Sequence, residues 1–179
     1  EGIVELIDLR TFEVLHTWNP DFNKLNNDSD LNGKYHLKNL HRDFHNGRAR
    51  LFHPVLLDNG ELVFTFPFRK IDACSNLVFQ NDSQIFHHSI EQDINGNFWL
   101  PSKIYPSKFS EIVGLTHPQD GGYHDDAISL LSSDGELLYQ KSVTEIFIEN
   151  NMEHLIFANA SDKFKNHPLH LNDIQPSKY

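Results

Sequence analysis

Histidine is the residue type in this chain whose spacing calls for a chemical explanation. The chain carries 12 histidines in 179 residues. One short unit, His-x-apolar-x-x-Asp, runs from His53 to Asp58 and again from His88 to Asp93, and a degenerate third copy starts at His170. An imidazole can serve as nucleophile, acid or base near neutral pH. His87 precedes His88, and neighbouring residues on a strand point to opposite faces, so one ring can face a site while the other packs. Asn172 lies two positions after His170 and shares its face; its amide could orient the ring or donate to an anionic oxygen. His124-Asp125-Asp126 brings carboxylates beside a further imidazole, a grouping that could bind a divalent cation or orient a catalytic histidine. Arg69 is suited to bidentate capture of a sulfate or phosphate group. The plain alternative for each of these side chains is a structural one: a satisfied ring at a polar loop edge, a turn-capping carboxylate, a solvated arginine.

The elements that must position these residues read as β-strands. Short apolar runs alternate with turn residues and helical periodicity is weak, which predicts an all-β fold. Asp58-Asn59-Gly60, Asn95-Gly96-Asn97 and Ser133-Asp134-Gly135 each separate two such runs. Their residues tolerate the positive φ that tight hairpins need. A strand–turn–strand unit also repeats, with six positions separating Asp8 from Val14, Asp72 from Val78 and Ser132 from Leu138. The two repeating units alternate and together make a four-stranded block. Repetition of such blocks predicts a β-propeller-type fold, with a stacked sandwich as the other arrangement.

On this reading the chain is one partial propeller domain, 1–179, with blade parts at 1–18, 51–82, 86–141 and 167–176. It holds about two complete blades and parts of two flanking ones. The long connections 19–50, 102–124 and 143–166 all emerge on one face, where His53, His88 and His170 begin their inner strands. Within 144–157 a helical excursion is expected. Strand-like residues at the start of the chain, with no initiator Met, predict a piece of a longer protein.

Composition narrows the partners. The formal net charge is −10, with 15 basic and 25 acidic residues. This balance argues against nucleic acid and against an anionic membrane surface. No apolar run is long enough to cross a bilayer, and no signal peptide is visible. The single cysteine, Cys74, cannot form an internal disulfide and is expected to be a packing residue. Trp18, Phe66, Phe79, Phe86, Phe98 and Trp99 are expected to pack strands together.

Three segments carry a family resemblance. Phe86-His-His-Ser-Ile-Glu-Gln-Asp-Ile-Asn-Gly-Asn-Phe-Trp99, Asp125-Asp-Ala-Ile-Ser-Leu-Leu-Ser-Ser-Asp-Gly-Glu-Leu-Leu-Tyr139 and Pro168-Leu-His-Leu-Asn-Asp-Ile174 resemble, in order, motifs of the arylsulfotransferase family. The resemblance covers roughly residues 2–176. It implies a bacterial, six-bladed propeller protein, periplasmic or membrane-anchored. The implied activity moves a sulfuryl group from an aryl sulfate ester to a phenol through a covalent sulfo-histidine, without a cofactor or metal. Carried over, His88 and His170 match the family's channel histidines and are the catalytic candidates. Arg69 is a loose match to its arginine. His53, His87, Arg69, Asn172, His124 and Asp126 form the substrate-binding set. Two other functions stay open: a non-catalytic propeller used as a binding module, and a metal-dependent hydrolase built on His124 and Asp126.

Overall fold

A computed structural model describes residues 2–29, 39–51, 53–109, 123–158 and 167–177. The Gly-rich stretch Asp120-Gly121-Gly122 therefore lies outside the described residues. The chain forms two compact units, Glu1–Ser83 and Gln84–Tyr179. Both are built on antiparallel sheets, with four short helices among the described residues. The all-β expectation holds.

In the first unit, β1 (Val4–Ile7) pairs with β2 (Val14–Trp18). A separate four-stranded meander follows: β3 (Val55–Leu56), β4 (Leu62–Phe64), β5 (Phe68–Ile71) and β6 (Leu77–Asn81), each hydrogen-bonded to the next. Two short helices stand between the sheets in sequence, α1 (Phe22–Asn27) and α2 (Leu40–Asp43). Asp21 and Asn39 cap them by accepting the backbone N–H of Lys24 and Arg42. Phe22, Leu25, Leu40 and Phe44 are buried, as are Leu62, Val63, Phe64, Phe68 and Ile71 of the meander.

The second unit holds β7 (Ile85–Phe86), β8 (Glu91–Gln92), β9 (Phe98–Ile104), β10 (Asp125–Leu131) and β11 (Leu137–Ser142). The long strand β9 is central: β10 pairs along one side, while β8 and β7 pair in succession along the other. Phe98 and Leu100 of β9 and Ala127 and Leu131 of β10 are among the buried apolar side chains of this unit. Strand β11 runs straight into α3 (Val143–Glu149), and α4 (His154–Ala158) follows, in agreement with the helical expectation for this stretch. The start of α3 is written in Ser142-Val-Thr-Glu145, where the serine oxygen accepts the Glu145 N–H.

Four hairpins share one turn chemistry. Leu57, Asp72, Asp93 and Ser132 each accept, at the carbonyl, the N–H three positions on, and each donates its own N–H to the carbonyl four positions on. That pattern is a type I turn closed by a residue in the left-handed region. Gly60, Gly96 and Gly135 occupy that position at φ 80–83°, and Ser75 occupies it at 66°. Two corrections follow. Cys74 does not pack; it is exposed, because it falls at the tip of the Asp72–Asn76 turn. No strand forms at His170, because its neighbours' backbone groups are engaged elsewhere: Leu171 N–H goes to the Asp126 carboxylate, and the Asn172 carbonyl accepts from Ser89 N–H.

Arg69 shows what holds the first unit together. It is 0% exposed. Its Nε donates to Gln80 Oε1 at 2.7 Å, and its two terminal nitrogens donate to Asn26 Oδ1 and the Leu25 carbonyl. Asn26 in turn donates to the Leu40 and Phe44 carbonyls, so one guanidinium ties β5 to α1 and, through it, to α2. Burial lowers the guanidinium to about 9. Arg69→Met leaves the Leu25 carbonyl and the Asn26 amide oxygen without their donor. Urea unfolding is expected to show a loss on the order of 3 kcal/mol, and a wild-type midpoint would contradict this account.

Candidate active site

The second unit gathers five imidazoles, one carboxylate and one ammonium. Asp126 is the centre and is 0% exposed. It lies on β10 beside Asp125, and the alternation of the strand sends the two carboxylates to opposite faces. Asp125 is a structural anchor: it accepts Ser142 Oγ at 2.6 Å and Ser107 Oγ at 3.1 Å, fixing the start of α3 and the chain after β9. Asp126 faces the histidines.

His167 Nε2 is 2.9 Å from Asp126 Oδ2, and the backbone N–H of Leu171 reaches the same oxygen at 2.7 Å. His87 Nε2 lies 3.6 Å from the other oxygen, Oδ1. His170 Nδ1 is 3.1 Å from His167 Nδ1, and the His170 and His88 ring centres are 5.3 Å apart. His124 packs against His167 and takes the Lys103 ammonium at Nδ1, at 3.2 Å. Lys103 is the β9 residue opposite Asp126 in the ladder, so the two share a face.

Taken with a neutral His167, the hydrogen-bond pattern sets the proton positions. An ionised carboxylate only accepts, so His167 must donate from Nε2. Nδ1 of a neutral His167 is then an acceptor, and His170 must donate to it from its own Nδ1. That leaves the lone pair of His170 on Nε2, on a residue open to solvent. Asp126, His167 and His170 thus form a hydrogen-bonded chain that ends at the solvent-exposed His170.

The electrostatics fit this assignment. Burial pushes the Asp126 carboxyl up, but His167, the facing His87 and the Leu171 N–H overcome it and hold the group well below the usual carboxylate range. Burial lowers His87, with Asp126 opposing. His88 is lowered too, first by burial and then by the neighbouring His87 and His170. Both nitrogens of His87, a residue 3% exposed, have no hydrogen-bond partner within 3.5 Å among the described residues.

His88 sits at φ 60° and His53 at φ 45°, a left-handed conformation that is uncommon for non-glycine residues and is concentrated at functional positions. The shared conformation supports their equivalence in the repeat, although the path from histidine to hairpin turn is one residue longer after His88. His53 is an exposed residue of the first unit. Arg69 also belongs to that unit, and its donors are committed to α1 and Gln80 rather than to an anion. Of the sequence candidates, His87, His88, His124, Asp126 and His170 come together. Asn172 is next to them, with its side chain turned to the His170 carbonyl. His167 and Lys103 were not singled out by sequence reasoning. No group of three or more His, Cys, Asp or Glu is arranged to hold a metal ion among the described residues. No helix among them is long and apolar enough to cross a membrane.

The antiparallel second unit thus presents a buried aspartate hydrogen-bonded to a pair of histidines. The family model for arylsulfotransferase (ASST) matches residues 53–179, most of the chain. The chain therefore belongs to the arylsulfotransferase family. No curated protein and no solved structure matches it.

The shifts at this site set a pH dependence. His87 binds a proton less readily folded than unfolded, so protonation below its ordinary 6.5 favours the unfolded chain. Asp126 contributes stability above its ordinary 3.8, and this is lost as pH falls through its lower folded value. Stability against urea is therefore expected to fall between about pH 7.5 and about pH 5.5, and His87→Asn to flatten that fall. An unfolding midpoint constant over this window in the wild type would refute the assignment.

Proposed function

We propose that this chain carries the sulfuryl-accepting site of an arylsulfotransferase, with His170 as nucleophile. The observation that carries the reading is the Asp126–His167–His170 relay, which leaves an accessible lone pair on His170 Nε2. In the first half-reaction that lone pair attacks the sulfur of an aryl sulfate monoester. An S–N bond forms, the S–O(aryl) bond breaks, and its electron pair leaves with the aryl oxide. The ring of His170 gains positive charge. Through His167 that charge is drawn toward the buried anion Asp126, which needs no reorganisation to stabilise it.

In the second half-reaction a phenol attacks the same sulfur, restoring the Nε2 lone pair. Its proton passes to His88, a base kept neutral by burial and by its neighbours. That proton then neutralises the aryl oxide, so one aryl sulfate and one phenol give one phenol and one aryl sulfate. His87, His124 and Asn172 line the reacting group.

The repeated hairpins and the two positive-φ histidines support a propeller-type fold, in which β3–β6 and β8–β11 are complete four-stranded blades. His53 marks the same position in its own blade that His88 marks in the second.

The test is transfer from a chromogenic aryl sulfate to a phenol. His170→Ala should lower the rate by at least about a thousandfold, and His88→Ala by about a hundredfold. Intact-mass analysis with donor alone should show a sulfuryl adduct that His170→Ala lacks. Wild-type turnover in His170→Ala would exclude that residue. No turnover in the wild type would instead favour a binding module.

A further inference from the structure

Lys103 is the cation at this site that nothing so far explains. It lies on the central strand β9, hydrogen-bonded between β7 and β10, with Ile85 and Asp126 as its ladder partners. Lysine is rarely taken out of water unless its charge is paired. Lys103 is half-buried, yet among the described residues its ammonium makes one hydrogen bond, to His124 Nδ1 at 3.2 Å. That partner is an imidazole, not a carboxylate. Asp126 shares its face but forms no ion pair with it among the described residues. Burial accordingly lowers Lys103, with Asp126 only partly opposing. An ammonium has three N–H donors, so two remain to which the described residues supply no partner.

We propose that Lys103 is the anion-binding residue of the site, donating its two remaining N–H groups to non-bridging oxygens of the sulfate ester. The inference rests on the sulfuryl-transfer reading and names its electrostatic anchor. The position is apt for three reasons. The ladder places Lys103 directly opposite Asp126, the carboxylate from which the His167–His170 relay starts. The Lys103–His124 bond leaves the ammonium directed toward the imidazole cluster, where His124 packs on His167 and His167 on His170. The described cluster also holds one ammonium and one carboxylate and is otherwise imidazole, so a bound monoanion would give the buried charge of Lys103 the partner it lacks. Arg69 cannot fill this role, because its donors are already committed within the other unit.

The experiment uses inorganic sulfate as probe and does not need turnover. The wild-type protein is treated with an amine-acylating reagent while sulfate is titrated against chloride at equal ionic strength, and modification of Lys103 is read by peptide mass mapping. Sulfate should protect Lys103 selectively. In parallel, Lys103→Met should raise KM for the aryl sulfate by about ten- to a hundredfold, whereas Lys103→Arg, which keeps the cation, should recover much of the loss. Equal modification in sulfate and chloride, or a wild-type KM in folded Lys103→Met, would overturn the proposal. The two readings separate cleanly. Protection without any transfer in the wild type upholds the anion site and removes the transferase reading; transfer without protection does the reverse.

Discussion

The second unit is organised around an ionised carboxylate with no exposure to solvent. Desolvation alone drives such a group toward its neutral form. Asp126 stays charged because one oxygen takes both the His167 ring and the Leu171 backbone N–H. Those two donors come from a segment with no sheet ladder of its own, so the carboxylate also fixes where residues 167–172 run. Loss of the charge would weaken the hydrogen-bond acceptor that favours the Nε2–H tautomer of His167. The arrangement of the imidazoles around the carboxylate is therefore one electrostatic fact. His87 adds to it from the other side, where its buried ring faces the second oxygen at 3.6 Å.

The adjacent Asp125 shows how a strand separates structure from chemistry. Two identical side chains, one position apart, point to opposite faces. One meets hydroxyls and ties β10 to the N-terminus of α3; the other meets imidazoles. Burial raises Asp125, with its hydroxyl donors opposing, whereas the His167 hydrogen bond, the facing His87 and the Leu171 N–H together lower Asp126. The opposite directions follow from the donors available on each face, since both carboxylates are equally hidden from water.

Much of this was legible in the residues. Three hairpins declared themselves because glycine supplied the left-handed position; the fourth was legible only through the strand–turn–strand repeat, because Ser75 supplies that position, and the repeat did not place Cys74 at an exposed tip. His87, His88 and the His124-Asp125-Asp126 run were found because repetition and adjacency are properties of sequence. His167 and Lys103 were not, for a different reason. Each matters only through a partner far along the chain: His167 through Asp126, and Lys103 through the ladder that sets it opposite Asp126. That register is established across a long connection whose length does not fix it. Sequence alternation could set Asp126 apart from Asp125 and group it with His124, but not show that His87 and His167 would converge on it.

Arg69 and Lys103 make the same point about charge. Both are cations on β-strands, and the arginine is chemically the better oxyanion receptor, since its planar fork matches such groups. A fork that matches an anion also matches a set of fixed carbonyl and amide oxygens. In the first unit α1 supplies those oxygens, and the guanidinium becomes a structural cross-link with its donors committed. An ammonium has fewer donors and no planar fork, so a strand environment of one imidazole leaves part of its capacity unused. Whether a buried cation is structural or available to a ligand is thus decided less by its type than by how many oxygens the surrounding backbone brings to it.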